Sequence, residues 1–186
     1  MMKKPLIIVA LGLLLSSTQA PAAQDHLGIK KAEAEWEYEA GKKTVEIEIE
    51  TAKPIPVDGG SGAFGYAALS AGGNNVLVLV THLPIDDSSY EKVPSGFHTH
   101  VLDLKAPTSA CAGFDFEVDI ESSKQNAAFD ADYQWKVKGN EAEIEGVPAT
   151  DLGDAGVENI ASFTLKPIVG ANGKPTNLCV KVAEQI

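Results

Sequence analysis

KTVEIEIET, residues 43–51, alternates without a break: Val45, Ile47 and Ile49 fall on one side, and Glu46, Glu48 and Glu50 on the other. A period of two is the signature of a β-strand with one face buried and one face wet. The same pattern spreads outward from this stretch. In FDADYQWKVK, residues 129–138, Phe129, Ala131, Tyr133, Trp135 and Val137 share a side, and Asp130, Asp132, Gln134, Lys136 and Lys138 share the other. NNVLVLVTHL, residues 74–83, is apolar on both sides, as in a central strand. IASFTLKPI (160–168) and NLCVKVAEQ (177–185) read as two more strands.

Turn residues punctuate these runs: Asp58-Gly59-Gly60, Gly72-Gly73-Asn74, Gly139-Asn140 and Asn172-Gly173. Gly139-Asn140 sits between Lys-Val-Lys and Glu-Ala-Glu-Ile-Glu and predicts a hairpin. No segment carries a long apolar stripe of period 3.6; at most, Asp154 to Ala161 predicts a short turn of helix. Seven or eight strands at this spacing predict an all-β fold, an antiparallel Greek-key sandwich or barrel.

The beginning of the chain has a different character. Lys3 and Lys4 precede an uncharged apolar run, Leu6 to Leu15, followed by the small residues of Ala20-Pro21-Ala22. This is the layout of a secretory signal peptide, with cleavage expected near Ala22 or Ala23. The run is too short to span a bilayer, and no later segment is apolar enough for a membrane helix. The expected organisation is a signal peptide (1–22), a flexible lead (23–31) and a single β domain (32–186), periplasmic or secreted, with no membrane insertion. The sequence has 26 acidic residues and 15 basic ones, two of which lie in the signal segment, so the remainder carries 13 − 26 = −13. All the basic residues are lysine. Such a charge excludes nucleic acid as a partner, since that binding depends on Lys and Arg clusters. The two cysteines, Cys111 and Cys179, predict a disulfide in an exported protein; the other reading is two separate buried thiols.

Gly60-Ser61-Gly62-Ala63-Phe64-Gly65 fits G-x-G-x-x-G, but GYAALSAGGNN follows, which is no helix to hold a pyrophosphate. It reads as a turn entering a strand. The acidic groups Asp86-Asp87, Asp130/Asp132 and Asp151/Asp154 lack the spacing of a calcium loop and read as solvated surface. No G-x-S-x-G occurs, and oxidised cysteines leave no thiol nucleophile.

The histidines carry the functional question. In SGFHTHVLDL, residues 95–104, His98 and His100 are two apart, so on a strand they point to one face about 7 Å apart. Two imidazoles so placed share one ion readily, and neutral imidazole suits copper and zinc. Phe97, Thr99 and Val101 point the other way; if that side is the core, the histidines look outward. His82, at the end of the preceding strand, is the natural third ligand if the two strands pair, and His26 is a weaker fourth donor. The competing reading is two exposed histidines with no role.

GFHTH resembles the G-F-H-x-H strand of copper/zinc superoxide dismutases, in which both histidines bind copper. Cys111 follows, and Cys179 stands in NLCVKV, where that family places the partner of its disulfide. The resemblance spans about residues 75–186 and implies a Greek-key barrel. The chain departs from that family in having no histidine after His100 and no arginine; Thr176 stands about where the family has its active-site arginine. The family's topology would also put His82 on a different sheet. A second resemblance covers residues 51–104: TAKPIPVDGGSGAFGYAALSAGGNNVLVLVTHLPID followed by GFHTHVLDL is similar to a CHRD (chordin-type) domain, an extracellular β module. The expected function is transition-metal binding, copper or zinc, at His98, His100 and His82, for capture or delivery with a protein as metal donor or acceptor. Two alternatives stand beside it: a non-catalytic module binding a protein partner without metal, and a degenerate superoxide dismutase-like enzyme.

Overall fold

The computed structural model describes residues 25–39, 41–71, 75–82, 96–153, 156–171 and 175–186. The expected signal peptide, the acidic pair Asp86-Asp87 and the turns at 72–74 and 172–173 lie outside them. Ten strands follow one another along the described chain: β1 (Ile29–Glu39), β2 (Lys42–Thr51), β3 (Phe64–Ser70), β4 (Asn75–Thr81), β5 (His98–Lys105), β6 (Phe116–Val118), β7 (Gln134–Lys138), β8 (Glu141–Pro148), β9 (Val157–Val169) and β10 (Pro175–Gln185). Four form a sheet in the order β1-β2-β8-β7, and six close a barrel in the order β10-β6-β5-β4-β3-β9. Every pairing is antiparallel. The all-β expectation is met. Among the described residues no helix is long and apolar enough to cross a membrane.

The alternation that identified the strands also sorts the two apolar clusters. Val45, Ile47 and Ile49 of β2 are buried, and Glu48 between them is exposed. They pack with Phe64, Tyr66, Leu77, Leu79 and Val101 from β3, β4 and β5, and with Phe97 just before β5, so this cluster joins the four-stranded sheet to the barrel wall. The neighbouring residues of the same barrel strands, Ala67, Val76, Val78 and Val80, meet Val118, Phe163 and Val180 inside the barrel. β4 therefore buries both faces, as its unbroken apolar run predicts.

The hairpin at Gly139-Asn140 forms, with Lys138 opposite Glu141 and Gly139 at φ 64°. At the Asp58 turn the carboxylate accepts the Gly60 amide at 2.9 Å and Gly59 takes φ 69°. The expected helical turn at 154–161 does not form over its described second half, because Val157 onward is β9, paired to both β3 and β10. The expected strand at 129–138 begins only at Gln134. The expected flexible lead is anchored from Asp25 onward. A 3-10 turn, Asp25–Leu27, buries His26 and Leu27, and β1 starts at Ile29. The Tyr66 hydroxyl donates to the His26 carbonyl (2.7 Å), Ser162 donates to that of Leu27 (2.5 Å), and the Ile29 amide donates to Glu184 (2.8 Å). Leu27 and Ile29 belong to the first cluster, so burying them outweighs the freedom of a polar lead.

The last glycine of GSGAFG has a packing role. A Cβ on Gly65 would lie 2.5 Å from the Leu79 carbonyl oxygen, 2.9 Å from the Phe163 ring and 3.0 Å from Val80 Cα. β3 and β4 approach at a distance only hydrogen allows, and two of these three neighbours are backbone. Gly65→Ala is expected to destabilise the protein by about 1–3 kcal/mol or more through overpacking, read as a lower midpoint in urea denaturation. An unchanged midpoint would show that the strands separate freely.

Candidate metal centre

β4 and β5 pair with Val80 opposite His98 and Val78 opposite His100. Residues directly opposite one another share a face, so both histidines lie on the face of Val78 and Val80, the inner face of the barrel. His82, two residues beyond Val80, continues that face and becomes the diagonal neighbour of His98. All three imidazoles are buried, with 9%, 3% and 7% of His82, His98 and His100 exposed. The expectation that His98 and His100 look outward is therefore corrected. Phe97 and Val101 do pack in a core, but the opposite face of β5 is covered as well. The expectation that a hairpin brings His82 to His98 holds, and the separation of His82 onto another sheet does not occur.

One ligand atom from each of His82, His98 and His100 lies within 4.8 Å of the other two, so the group could hold a metal ion. His82 Nε2 is 3.0 Å from His98 Nε2. Two nitrogens at ordinary zinc distances on a tetrahedral ion are roughly 3.3 Å apart, so this pair is nearly at ligand spacing. The rings of His82 and His98 meet edge to face at 4.7 Å, as do those of His98 and His100.

The outer nitrogens decide which atoms face the centre. His98 Nδ1 is 2.9 Å from the Gly96 carbonyl oxygen, and His100 Nδ1 is 2.9 Å from that of Phe129. A carbonyl only accepts, so both Nδ1 atoms carry hydrogen, and in the neutral ring the lone pair is then on Nε2. This is the arrangement by which metal-bound imidazoles are oriented from outside. With a bare Nε2 on His98, the hydrogen in the His82–His98 contact belongs to His82. A bound ion would take that hydrogen's place, with His82 carrying its proton on Nδ1 instead. Asp130 adds a carboxylate oxygen 3.9 Å from His100 Nδ1, outside the ligand positions.

His26 does not join the group. Its ring stands edge-on to Phe64 at 4.5 Å, and its Nε2 is buried without a hydrogen-bond partner. Burial lowers its pKa, against the pull of Asp25. Cys111 and Cys179 form the expected disulfide, with S–S 2.00 Å. A second group, Glu46, Glu48 and Glu143, also lies within ligand reach on the outer face of the four-stranded sheet. Lys136 and the neighbouring carboxylates share the hydrogen bonding of Glu143 and hold its pKa down, while Glu145 beside it is raised. This is a solvated acidic face with its own cation, and it has no buried donor directed at a ligand.

Sequence reasoning found the three imidazoles and missed what orients them. Gly96 and Phe129 act through backbone carbonyls, which leave no residue-type signal. No family model, no curated protein and no solved structure matches this chain, so the site is known by its geometry.

Proposed function

We propose that the protein binds one transition-metal ion, copper or zinc, through His82, His98 and His100, and that it captures or delivers the ion outside the cytoplasm. The observation that carries this reading is the buried imidazole triad, with one ligand atom of each ring within 4.8 Å of the other two and two Nδ1 atoms held by backbone carbonyls. Buried histidines facing one another are an unusual way to fill a barrel, and the donor set fits an ion of intermediate softness. Three protein nitrogens leave a fourth position for water or for a ligand from a partner protein that gives or takes the metal. The disulfide agrees with an oxidising compartment.

The antiparallel barrel, the disulfide and the triad are compatible with a superoxide dismutase-like fold. Two features favour a carrier over that enzyme: the chain has no arginine, and its net charge of −11 opposes the approach of a small anion. Titrating zinc and copper(II) into the purified protein is expected to give one tight equivalent, lost in a His98→Ala/His100→Ala double variant. Equal, weak binding by both proteins would overturn the reading in favour of a metal-free binding module. Superoxide loss catalysed by the copper-loaded protein would turn the carrier into an enzyme.

A further inference from the structure

β5 has one edge paired over most of its length and one paired only at its end. Along β4 it pairs from His98 to Asp103, but on its other side β6 meets it only at Leu104 and Lys105. Beside Thr99 and His100 that second edge is covered by an irregular strap, residues 129–133. The strap is tied down through the Thr99 side chain. The Thr99 hydroxyl donates to the Ala131 carbonyl at 2.7 Å and accepts from the Tyr133 amide at 3.0 Å. One hydroxyl, with one hydrogen and two lone pairs, thus satisfies two backbone groups that a neighbouring strand would otherwise pair. Thr99 is 3% exposed, so water does not substitute for it. Beyond this point the Tyr133 hydroxyl donates to Asp151 at 2.8 Å, fixing the far end. At the near end the strap supplies the Phe129 carbonyl to His100 Nδ1 and lays the Phe129 ring over the imidazole, with centroids 5.5 Å apart and planes 30° apart.

We propose that Thr99 is a positioning residue for the metal centre: by holding the 129–133 strap on the edge of β5, it keeps the Phe129 carbonyl on His100 Nδ1 and so presents His100 Nε2 to the ion. The functional half of this inference rests on the metal-binding reading above; the positioning half belongs to the metal-free protein. Thr99 and His100 point to opposite faces of β5, so the hydroxyl never meets the ion. Its influence passes through three backbone residues of the strap. Groups that orient metal-bound histidines from outside are worth about 10- to 100-fold in affinity, and Thr99 acts one link further out.

The test compares wild type, Thr99→Val and Thr99→Ser. Valine keeps the shape and removes both hydrogen bonds; serine keeps the hydroxyl. Nitrogen NMR of the His100 ring in the metal-free proteins reads the tautomer, and zinc titration reads affinity. Wild type and Thr99→Ser are expected to show His100 protonated at Nδ1 alone. Thr99→Val is expected to show a mixture of tautomers and zinc affinity lower by up to about 10-fold. A Thr99→Val protein that keeps the wild-type tautomer signature overturns the proposal. If Thr99→Val does not fold, hydrogen exchange on wild type decides. The Tyr133 amide, whose acceptor is the Thr99 hydroxyl, must exchange slowly, and rapid exchange there overturns the proposal. Failure of wild type to bind zinc or copper would sink the metal reading alone, because the tautomer is measured without metal.

Discussion

Glu117→Ala is expected to cost about 1–3 kcal/mol of stability, the range for losing the hydrogen bonds of a buried polar group. Glu117 is 1% exposed. One carboxylate oxygen accepts from Asn177 Nδ2 at 2.8 Å; the other accepts from the Thr108 amide at 2.9 Å and the Thr108 hydroxyl at 2.7 Å. Lys105 Nζ lies 3.8 Å away. Alanine would remove all three hydrogen bonds at a thinly paired place in the barrel. β6 has three residues and pairs at only two positions with β5 and two with β10. The hydrogen bonds from Asn177 and Thr108 hold the Glu117 carboxyl at about 2, well below its ordinary value of 4.5. The folded state therefore resists protonation more than the unfolded chain does. This stabilisation is complete above pH 4.5 and is lost as the pH falls from 4.5 through 2. Denaturant titrations at pH 7 and pH 3 check both points. Glu117→Gln, which cannot ionise, should lose less stability than wild type between those two pH values. Identical losses would show that Glu117 does not guard this seam.

Replacing both Cys111 and Cys179 by serine is expected to cost about 4 kcal/mol in the chain-entropy model, because the disulfide spans 68 positions in sequence. For a domain of this size that corresponds to a melting temperature lower by roughly 10–15 °C, measurable by circular dichroism with and without reductant. A shift of only a degree or two would mean that the unfolded chain gains little freedom from the cut. The disulfide and Glu117 act on the same seam. Cys179 stands directly opposite Glu117 in the β10–β6 pairing, and Cys111 follows the Thr108 that Glu117 holds. Their losses should therefore not add. Once the disulfide is gone, Glu117→Ala should cost measurably less than in the intact protein, the mark of neighbours sharing one element.

Which parts of the candidate site were legible follows from what kind of group does the work. His98 and His100 announce themselves by residue type and spacing, and His82 by ending the strand that pairs with theirs. Their orienting partners, the carbonyls of Gly96 and Phe129, exist in every residue and have no signature. Thr99 reads from sequence as a filler of the apolar face. Its hydroxyl gains a role only because the strap brings it groups from 32 and 34 residues further along the chain. The strap looks like strand in the sequence: Phe129, Ala131 and Tyr133 alternate like the rest of β7, yet the chain before Gln134 leaves the four-stranded sheet to cover β5.

The all-β class needed no tertiary information, since a two-residue period belongs to the strand backbone and KTVEIEIET shows it locally. The disulfide partners were determined just as simply, there being only two cysteines to join. Depth was another matter. Alternation says which side chains share a face and is silent about what covers that face. His98 and His100 look like a wet face until the barrel closes over them with Val78 and Val80. Only the assembled β sheets decide that these imidazoles are buried, because burial is a property of two surfaces meeting and a sequence pattern describes one.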